Sequence, residues 1–298
     1  MPKQSSSVSL DAALSLATDV LPYRISTITA YSKICSEIDA DALYAGAGSQ
    51  QSAGASSPAT ANDIALVQLS IGEATKCIIP VGADSIDIKP KARKRYSTTP
   101  VKKNFGNQIT LLAQIDGNPI NIKLFKNGSM QLAGLRHLRD ATRLVPTLTS
   151  WLGGQASGVS GVLSVPEVIE ACKVCMICSD FDIGIRFKPG KLLEVLRRAM
   201  PGLLTSHEAC RHPAVKIKYM HNLADPVGER DGVCKCDKEC GGKGDGLSRE
   251  SQCRKVTILL FHSGKVVVTG GVTMQQVYDA YLFVTNQIVQ THASAFKI

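Results

Sequence analysis

No run of about eighteen apolar residues occurs anywhere in this chain, so no membrane-spanning helix is expected. The opening residues Met1, Pro2, Lys3 and Gln4, followed by serines, lack the basic-then-apolar order of a secretion signal. Secretion is therefore not expected. Catalytic signatures are missing as well. No Walker loop and no G-x-G-x-x-G segment follows a strand and opens a helix. The histidines, His137, His207, His212, His221, His262 and His292, keep neither nucleophile nor metalloprotease spacing. Asp180 and Asp182 alternate on one strand face and mimic a carboxylate pair, but a strand edge near a turn accounts for them equally. An enzyme is not expected. Acidic residues are outnumbered, 25 against 34 basic ones. The resulting net charge of +9 favours an anionic partner such as nucleic acid or a membrane surface.

What is present is enough for a substantial core: 298 residues, 44% of them hydrophobic, arranged as one large domain or two small ones. The 10 cysteines are unevenly placed, which fits thiols in a reducing compartment better than a disulfide framework. Cys172, Cys175 and Cys178 lie in an apolar run and are expected to pack in the core. Cys234, Cys236 and Cys240 lie in a glycine-rich loop with Cys253 beyond it. Thiolates at that spacing can close a tetrahedral zinc site and order a loop that lacks a core of its own. The alternative is a loop of plain thiols.

An internal repeat dominates the organisation. PINIKLFKNGSMQLAG (119–134) and KVTILLFHSGKVVVTG (255–270) each read as strand, turn ending in glycine, and strand. Phe125 and Phe261, Gly128 and Gly264, and Gly134 and Gly270 are each 136 residues apart. An amphipathic helix follows each hairpin, from Arg136 to about Leu152 and from Thr273 to about His292. Upstream, strands are expected at Arg24–Tyr31 and Asn107–Ile115 in the first half, with a short helix around Asp39–Tyr44. In the second half the matching strands are Lys173–Asp180 and Ala214–Met220, with a helix at Gly190–Met200. The unit is strand, helix, three strands, helix, twice over. The expected divisions are a flexible segment 1–20, a first repeat 21–152 with an insertion 45–104, a linker 153–164, and a second repeat 165–298 with a cysteine-bearing insertion 223–253. Residues 45–61 are rich in Gly, Ala and Ser and read as disordered.

In the hairpins, Ile120, Ile122 and Leu124 fall on one strand face, and so do Val256, Ile258 and Leu260. These would pack beneath the helices. Asn121, Lys123 and Phe125, and likewise Lys255, Thr257, Leu259 and Phe261, face the other way. That second face needs a partner; a covering loop or a dimer contact would serve as well as a ligand.

The run Phe261-His262-Ser263-Gly264-Lys265-Val266-Val267-Val268-Thr269-Gly270 resembles the strand–turn–strand signature of TATA-box-binding proteins. Lys123-Leu124-Phe125 with Gly128 and Gly134 resembles its weaker twin. The likeness covers Leu21 to His292, and the insertions resemble those of divergent TATA-binding-like proteins of large DNA viruses. It implies an α+β fold: a pseudo-twofold saddle of two repeats, a curved antiparallel sheet of about ten strands with helices on the convex face. It also implies minor-groove binding, with apolar wedges entering base steps of A·T-rich DNA. Phe125 and Phe261 match the second wedge of each pair and Phe105 the first wedge of the first half. His212 stands where the other phenylalanine is expected. The paired central asparagines fall at Arg24 and Val174, the threonines at Ala133 and Thr269, and the valines at Gln131 and Val267. Ser26, Met176, Lys123 and Leu259 complete the implied DNA face, and Lys218 is placed as a phosphate ligand. Basic residues between Lys89 and Lys103 either contact phosphate, serve as an import signal, or form a solvated loop.

The resemblance thus implies a general initiation factor that binds and bends promoter DNA, as a monomer on double-stranded DNA. It would recruit an initiation-factor-B-like protein and RNA polymerase through the helical face. It would work in a nucleus or a cytoplasmic viral replication site, without a membrane and with structural zinc as the one cofactor in view. The competing expectation is a protein-interaction scaffold that keeps the saddle and no longer bends DNA.

Overall fold

The computed structural model describes residues 22–46, 64–71, 74–77, 108–158, 170–237 and 240–298. Phe105 and the basic stretch 89–103 lie outside them. The chain divides into two compact units, Thr29–Lys173 and Met1–Ile28 with Val174–Ile298. The division runs through two strands, β1 (Arg24–Lys33) and β7 (Glu170–Asp182), rather than through the expected 153–164 linker. Residues 153–158 instead continue the helix that follows the first hairpin, glycines included.

The Thr29–Lys173 unit holds helix α1 (Ala40–Gly46), strands β2 (Ile64–Ile71), β3 (Ala74–Cys77), β4 (Gln108–Ile115), β5 (Asn118–Phe125) and β6 (Ser129–Leu135), and helix α2 (Leu138–Gly158). Strand order is β3-β2-β4-β5-β6-β1. Strands β2 and β3 lie inside the segment 45–104 expected to be an insertion into the repeat. Strand β2 pairs along β4 from Ile64↔Ile115 to Ile71↔Ile109, so it belongs to the repeat. Its Val67 and Leu69 are buried, on the alternation that a sheet with one covered face demands.

The other unit holds helix α3 (Pro189–Ala199), strands β8 (Leu204–Ser206), β9 (Val215–His221), β10 (Arg254–Leu260) and β11 (Lys265–Gly271), and helix α4 (Met274–Leu282). A π-helical stretch, Phe283–Gln290, joins α4 to α5 (Thr291–Phe296). Strand order is β1-β7-β11-β10-β9-β8. Helix α4 starts on a capping box: Thr273 Oγ1 accepts from the Gln276 backbone N–H, and Gln276 Oε1 accepts from that of Thr273. Each outer strand, β3 or β8, has no further neighbour among the described residues, so neither ladder closes. Antiparallel ladders with helices packed on them make the fold α+β, as expected.

In each unit one sheet face is buried under helices. Ile109, Leu111, Ile120, Ile122, Leu124 and Leu132 meet Leu144, Leu148 and Leu152 of α2 in one core. Val215, Ile217, Val256, Ile258, Val266 and Val268 meet Leu192, Leu196, Val277, Phe283, Val284 and Ile288 in the other. At about 1.5–3 kcal/mol for each fully buried aliphatic side chain, these faces supply the main stabilisation of each unit.

The repeat holds at the level of backbone hydrogen bonds. Gly128 N donates to Phe125 O and Gly264 N to Phe261 O, both at 2.9 Å. Ile34 N donates to Gly128 O as Ile183 N does to Gly264 O, and Ile38 N to Lys126 O as Phe187 N does to His262 O. The first strands are thus related by 149 residues. Counted back from these bonds, Arg24 corresponds to Lys173, one residue short of the expected Val174.

Gly128 has φ +73° and is buried; a Cβ there would overlap the Cys35 carbonyl. Gly117 has φ +75° with open space around the same position. Gly117→Ala should therefore cost only the left-handed backbone penalty, about 1 kcal/mol. Gly128→Ala adds steric overlap and should cost roughly 2–4 kcal/mol. Urea unfolding of the two variants separates these costs.

Candidate nucleic-acid interface

The uncovered face of the second unit can be read row by row from strand register, since directly paired residues share a face. One row runs Leu204, Lys218, Thr257, Thr269, Cys178; the next runs Ser206, Lys216, Leu259, Val267, Asp180. A third row pairs Met220 with Lys255. Lys216 and Lys218 are exposed, and Leu259, Val267 and Thr269 are half-exposed. Lysines thus flank a low floor of Leu, Val and Thr. This is an arrangement that can meet phosphates at its margin and sugar or base edges at its centre.

At one end of these rows lies Phe261, half-exposed, with the His212 ring 5.7 Å from it between centroids. His212 is held by its own turn: its Nδ1 accepts from the Ala214 backbone N–H at 3.2 Å. That bond leaves the ring proton on Nε2 and fixes the imidazole beside the phenyl ring. The two residues expected to form a wedge pair are therefore brought together.

The uncovered face of the first unit has different chemistry. Its rows are Ser70, Thr110, Lys123, Gln131 and Gln68, Leu112, Asn121, Ala133, with Phe125 opposite Gln108. Gln68 donates to Ser70 Oγ and Gln108 to Thr110 Oγ1, at 3.3 and 3.1 Å. Hydroxyls and amides replace the lysines, leaving Lys123 as the basic residue of these rows. Gln68, Ser70, Thr110 and Leu112 were not singled out by sequence, because β2 was hidden in the insertion. Alternation along β4 was the one available signal for Thr110 and Leu112.

Arg24 does not project freely. Its Nε and one terminal nitrogen donate to Asp180 at 2.9–3.2 Å, and Ser26 Oγ donates to the Cys178 carbonyl. Asp180, which looked like half of a carboxylate pair, is the partner of that arginine. Met176 and Cys178 turn their sulfur atoms to the Thr269 hydroxyl, at 3.3 and 3.0 Å. Core packing is not what the three strand cysteines do: Cys175 is exposed and Cys172 and Cys178 are only half-buried. Val174 is half-exposed on the same strand.

The loop cysteines do come together. The sulfur atoms of Cys234, Cys236, Cys240 and Cys253 all lie within 4.8 Å of one another, with Cys236–Cys253 at 3.5 Å and Cys234–Cys253 at 3.7 Å. Four thiolates about 2.3 Å from one ion sit about 3.8 Å apart, so the donor set fits a metal. Burial, with the thiols of Cys236 and Cys234 alongside, pushes the Cys253 thiol up. At Cys240 burial is outweighed by the backbone N–H groups of Gly242 and Cys253, and its thiol is lowered.

Sequence reading missed a buried polar knot that ties the 223–252 loop to α4. Asp279 Oδ2 accepts from His221 Nε2 and from Arg230, both at 2.7 Å, and Asp279 Oδ1 accepts from Gln275 at 2.8 Å.

These features define a duplicated antiparallel sheet with one uncovered face in each unit. No family model matches the chain. Over 216 residues it is 26% identical to a protein described as "TATA-box-binding protein-like" from Acanthamoeba polyphaga mimivirus. The match covers 70% of this chain and 53% of that protein, so the chain spans about half the length of its curated relative. Among solved structures, Methanococcus jannaschii TBP aligns with a TM-score of 0.44 and 15% identity, over 91% of this chain and 100% of that one. The curated likeness agrees with the resemblance carried by the two hairpins: the chain is similar to a TATA-box-binding-like protein of a large DNA virus. No helix among the described residues is long and apolar enough to cross a membrane.

Proposed function

We propose that the chain is a transcription-initiation factor that binds A·T-rich, deformable double-stranded DNA in the minor groove and bends it, without catalysis. The observation that carries this reading is the uncovered face of the second unit. Lys216 and Lys218 border a Leu259–Val267–Thr269 floor, and the Phe261–His212 ring pair stands at its end. Wedges unstack a base step at a cost of a few kcal/mol, offset by the backbone contacts that bending allows. Phe125 is the corresponding residue of the first unit, where Thr110, Asn121, Lys123 and Gln131 offer hydrogen bonds. On this reading the helical sides serve an initiation-factor-B-like protein and a polymerase, in a nucleus or a viral replication site. The four loop cysteines hold one structural zinc ion, which supplies a cross-link and no chemistry.

The test is energy transfer across an end-labelled A·T-rich duplex, with a G·C-rich control. Wild type is expected to bind the A·T-rich duplex preferentially and shorten the end-to-end distance. Phe125→Ala/Phe261→Ala is expected to lose the shortening and at least tenfold in affinity, the equivalent of about 1.4 kcal/mol. Binding without shortening removes the bending claim; no binding at any salt leaves the interaction-scaffold reading in its place.

A further inference from the structure

The cysteine cluster is not an isolated feature of the loop. Cys253 directly precedes Arg254, the first residue of β10, and Cys240 stands two residues before Gly242. Gly242 is buried against the end of the uncovered face. A Cβ at this position would fall on the Lys255 Cβ and the Met220 sulfur, the two side chains of the last row. Lys255 N donates to Gly242 O at 2.9 Å, and Lys243 bridges to Arg254 in antiparallel fashion. Residues 242–243 thus add a short rung at the start of β10, with Gly242 against the side chains of the uncovered face and Lys243 in register with Arg254 and His221 on the other face. The rest of the loop is laced down by polar contacts: Leu223 N to Gly246 O, Asn222 to the Ser248 carbonyl, and Gln276 to the Asp245 carbonyl. It contributes little apolar burial, so a cross-link has to supply the order that a core would.

We propose that this loop is a metal-dependent support of the nucleic-acid face: one zinc-type cation bound by Cys234, Cys236, Cys240 and Cys253 holds the 242–243 rung against Lys255 and Met220, so that Lys255 is fixed to meet a DNA phosphate. The proposal rests on the DNA-binding and zinc readings given above and adds that metal loading sets DNA affinity. Cys240 lies two residues before the rung and Cys253 one residue before β10, the strand the rung pairs with, so the ion would tie the rung to that strand. The soft tetrathiolate set selects zinc over magnesium or calcium.

The experiment uses the full chain, purified under reducing conditions, zinc-loaded and chelator-stripped. Elemental analysis is expected to find one zinc per loaded chain. Binding to the A·T-rich duplex is then titrated with salt. Loss of one phosphate contact lowers the slope of log affinity against log salt by about 0.9, and affinity at 0.1 M salt by up to about eightfold. Stripping should produce a drop of at least that size. Lys255→Ala, which leaves every thiol in place, should produce it in the loaded protein and nothing further in the stripped one. A loaded protein that binds DNA no better than the stripped one overturns the coupling. Equal effects of Lys255→Ala in both states overturn the role of the rung. Absence of stoichiometric zinc overturns the site itself. If loaded protein carries one zinc yet binds no DNA at any salt, the DNA reading fails while the metal site stands.

Discussion

Replacing Lys216, Lys218 and Lys255 together by alanine is expected to reduce the salt dependence of DNA binding by about 2.7 in the slope of log affinity against log salt, about 0.9 for each phosphate released. At 0.1 M salt that slope change corresponds to an affinity loss of up to several hundredfold. The lysines stand on adjacent strands, Lys216 and Lys218 on β9 and Lys255 on β10, all turned to the uncovered face. None anchors the core beneath, where Val215, Ile217 and Val256 are buried. The triple variant should therefore unfold at the wild-type urea concentration, which separates a binding effect from a folding effect. Asn121→Ala with Gln131→Ala, in the other unit, makes the informative contrast. Amides carry no counterion release, so that pair should leave the slope unchanged and alter preference among duplex sequences instead. If both variants change the slope alike, the lysines are solvated surface groups and the phosphate role assigned to them is wrong.

The parts of this arrangement that were legible in sequence share one property: they are local. The two hairpins announced themselves through alternation and a turn glycine at a fixed offset, and the φ values of Gly128 and Gly264 show why glycine is needed there. The covered residues Ile120, Ile122, Leu124, Val256, Ile258 and Leu260 followed from period-two patterning alone. Strand β8 escaped because three residues are too few to show a period. Strand β2, with buried Val67 and Leu69, had the period but lay beyond a Gly-, Ala- and Ser-rich stretch that drew attention away from it. The glycines of 153–158 read as a linker, yet they extend α2.

Long-range polar pairing left no local trace at all. Arg24 and Asp180 are 156 residues apart, so neither the ion pair nor the loss of a free arginine could be anticipated. The cysteine set was legible because a metal site needs a countable ligand number, whereas the equally specific His221–Arg230–Asp279 knot uses residue types that are common everywhere. Tertiary context decided that knot, and it also decided the exposure of Cys175.

Asp279→Asn should be the most destabilising single change on the helical side of the second unit, costing about 3–5 kcal/mol. Only 4% of the Asp279 side chain is exposed and none of that of His221, while Arg230 retains 11%. Asparagine keeps the shape but removes the charge, leaving the buried Arg230 guanidinium without its counter-ion. Among the described residues the Nδ1 atom of His221 has no partner, so the imidazole presents its proton at Nε2 and depends on the same carboxylate. Burial acts to raise the Asp279 carboxyl, but the hydrogen bonds from His221 and Gln275 and the Arg230 charge outweigh it and hold it below the usual range. The sign of the pH dependence follows. A carboxyl lowered in the folded state contributes its stability in full above its unfolded pKa of about 3.9 and loses it as pH falls through the folded value. Wild type and Asp279→Asn should therefore differ most near neutral pH and converge in acid. Because Arg230 also donates to the Asp225 and Leu223 carbonyls, the variant should loosen the start of the cysteine-bearing loop as well as α4. Hydrogen exchange at 223–233 should rise with it. A variant that melts like wild type at neutral pH, or a stability gap that widens in acid, would show that the knot is not held by the ionised carboxylate.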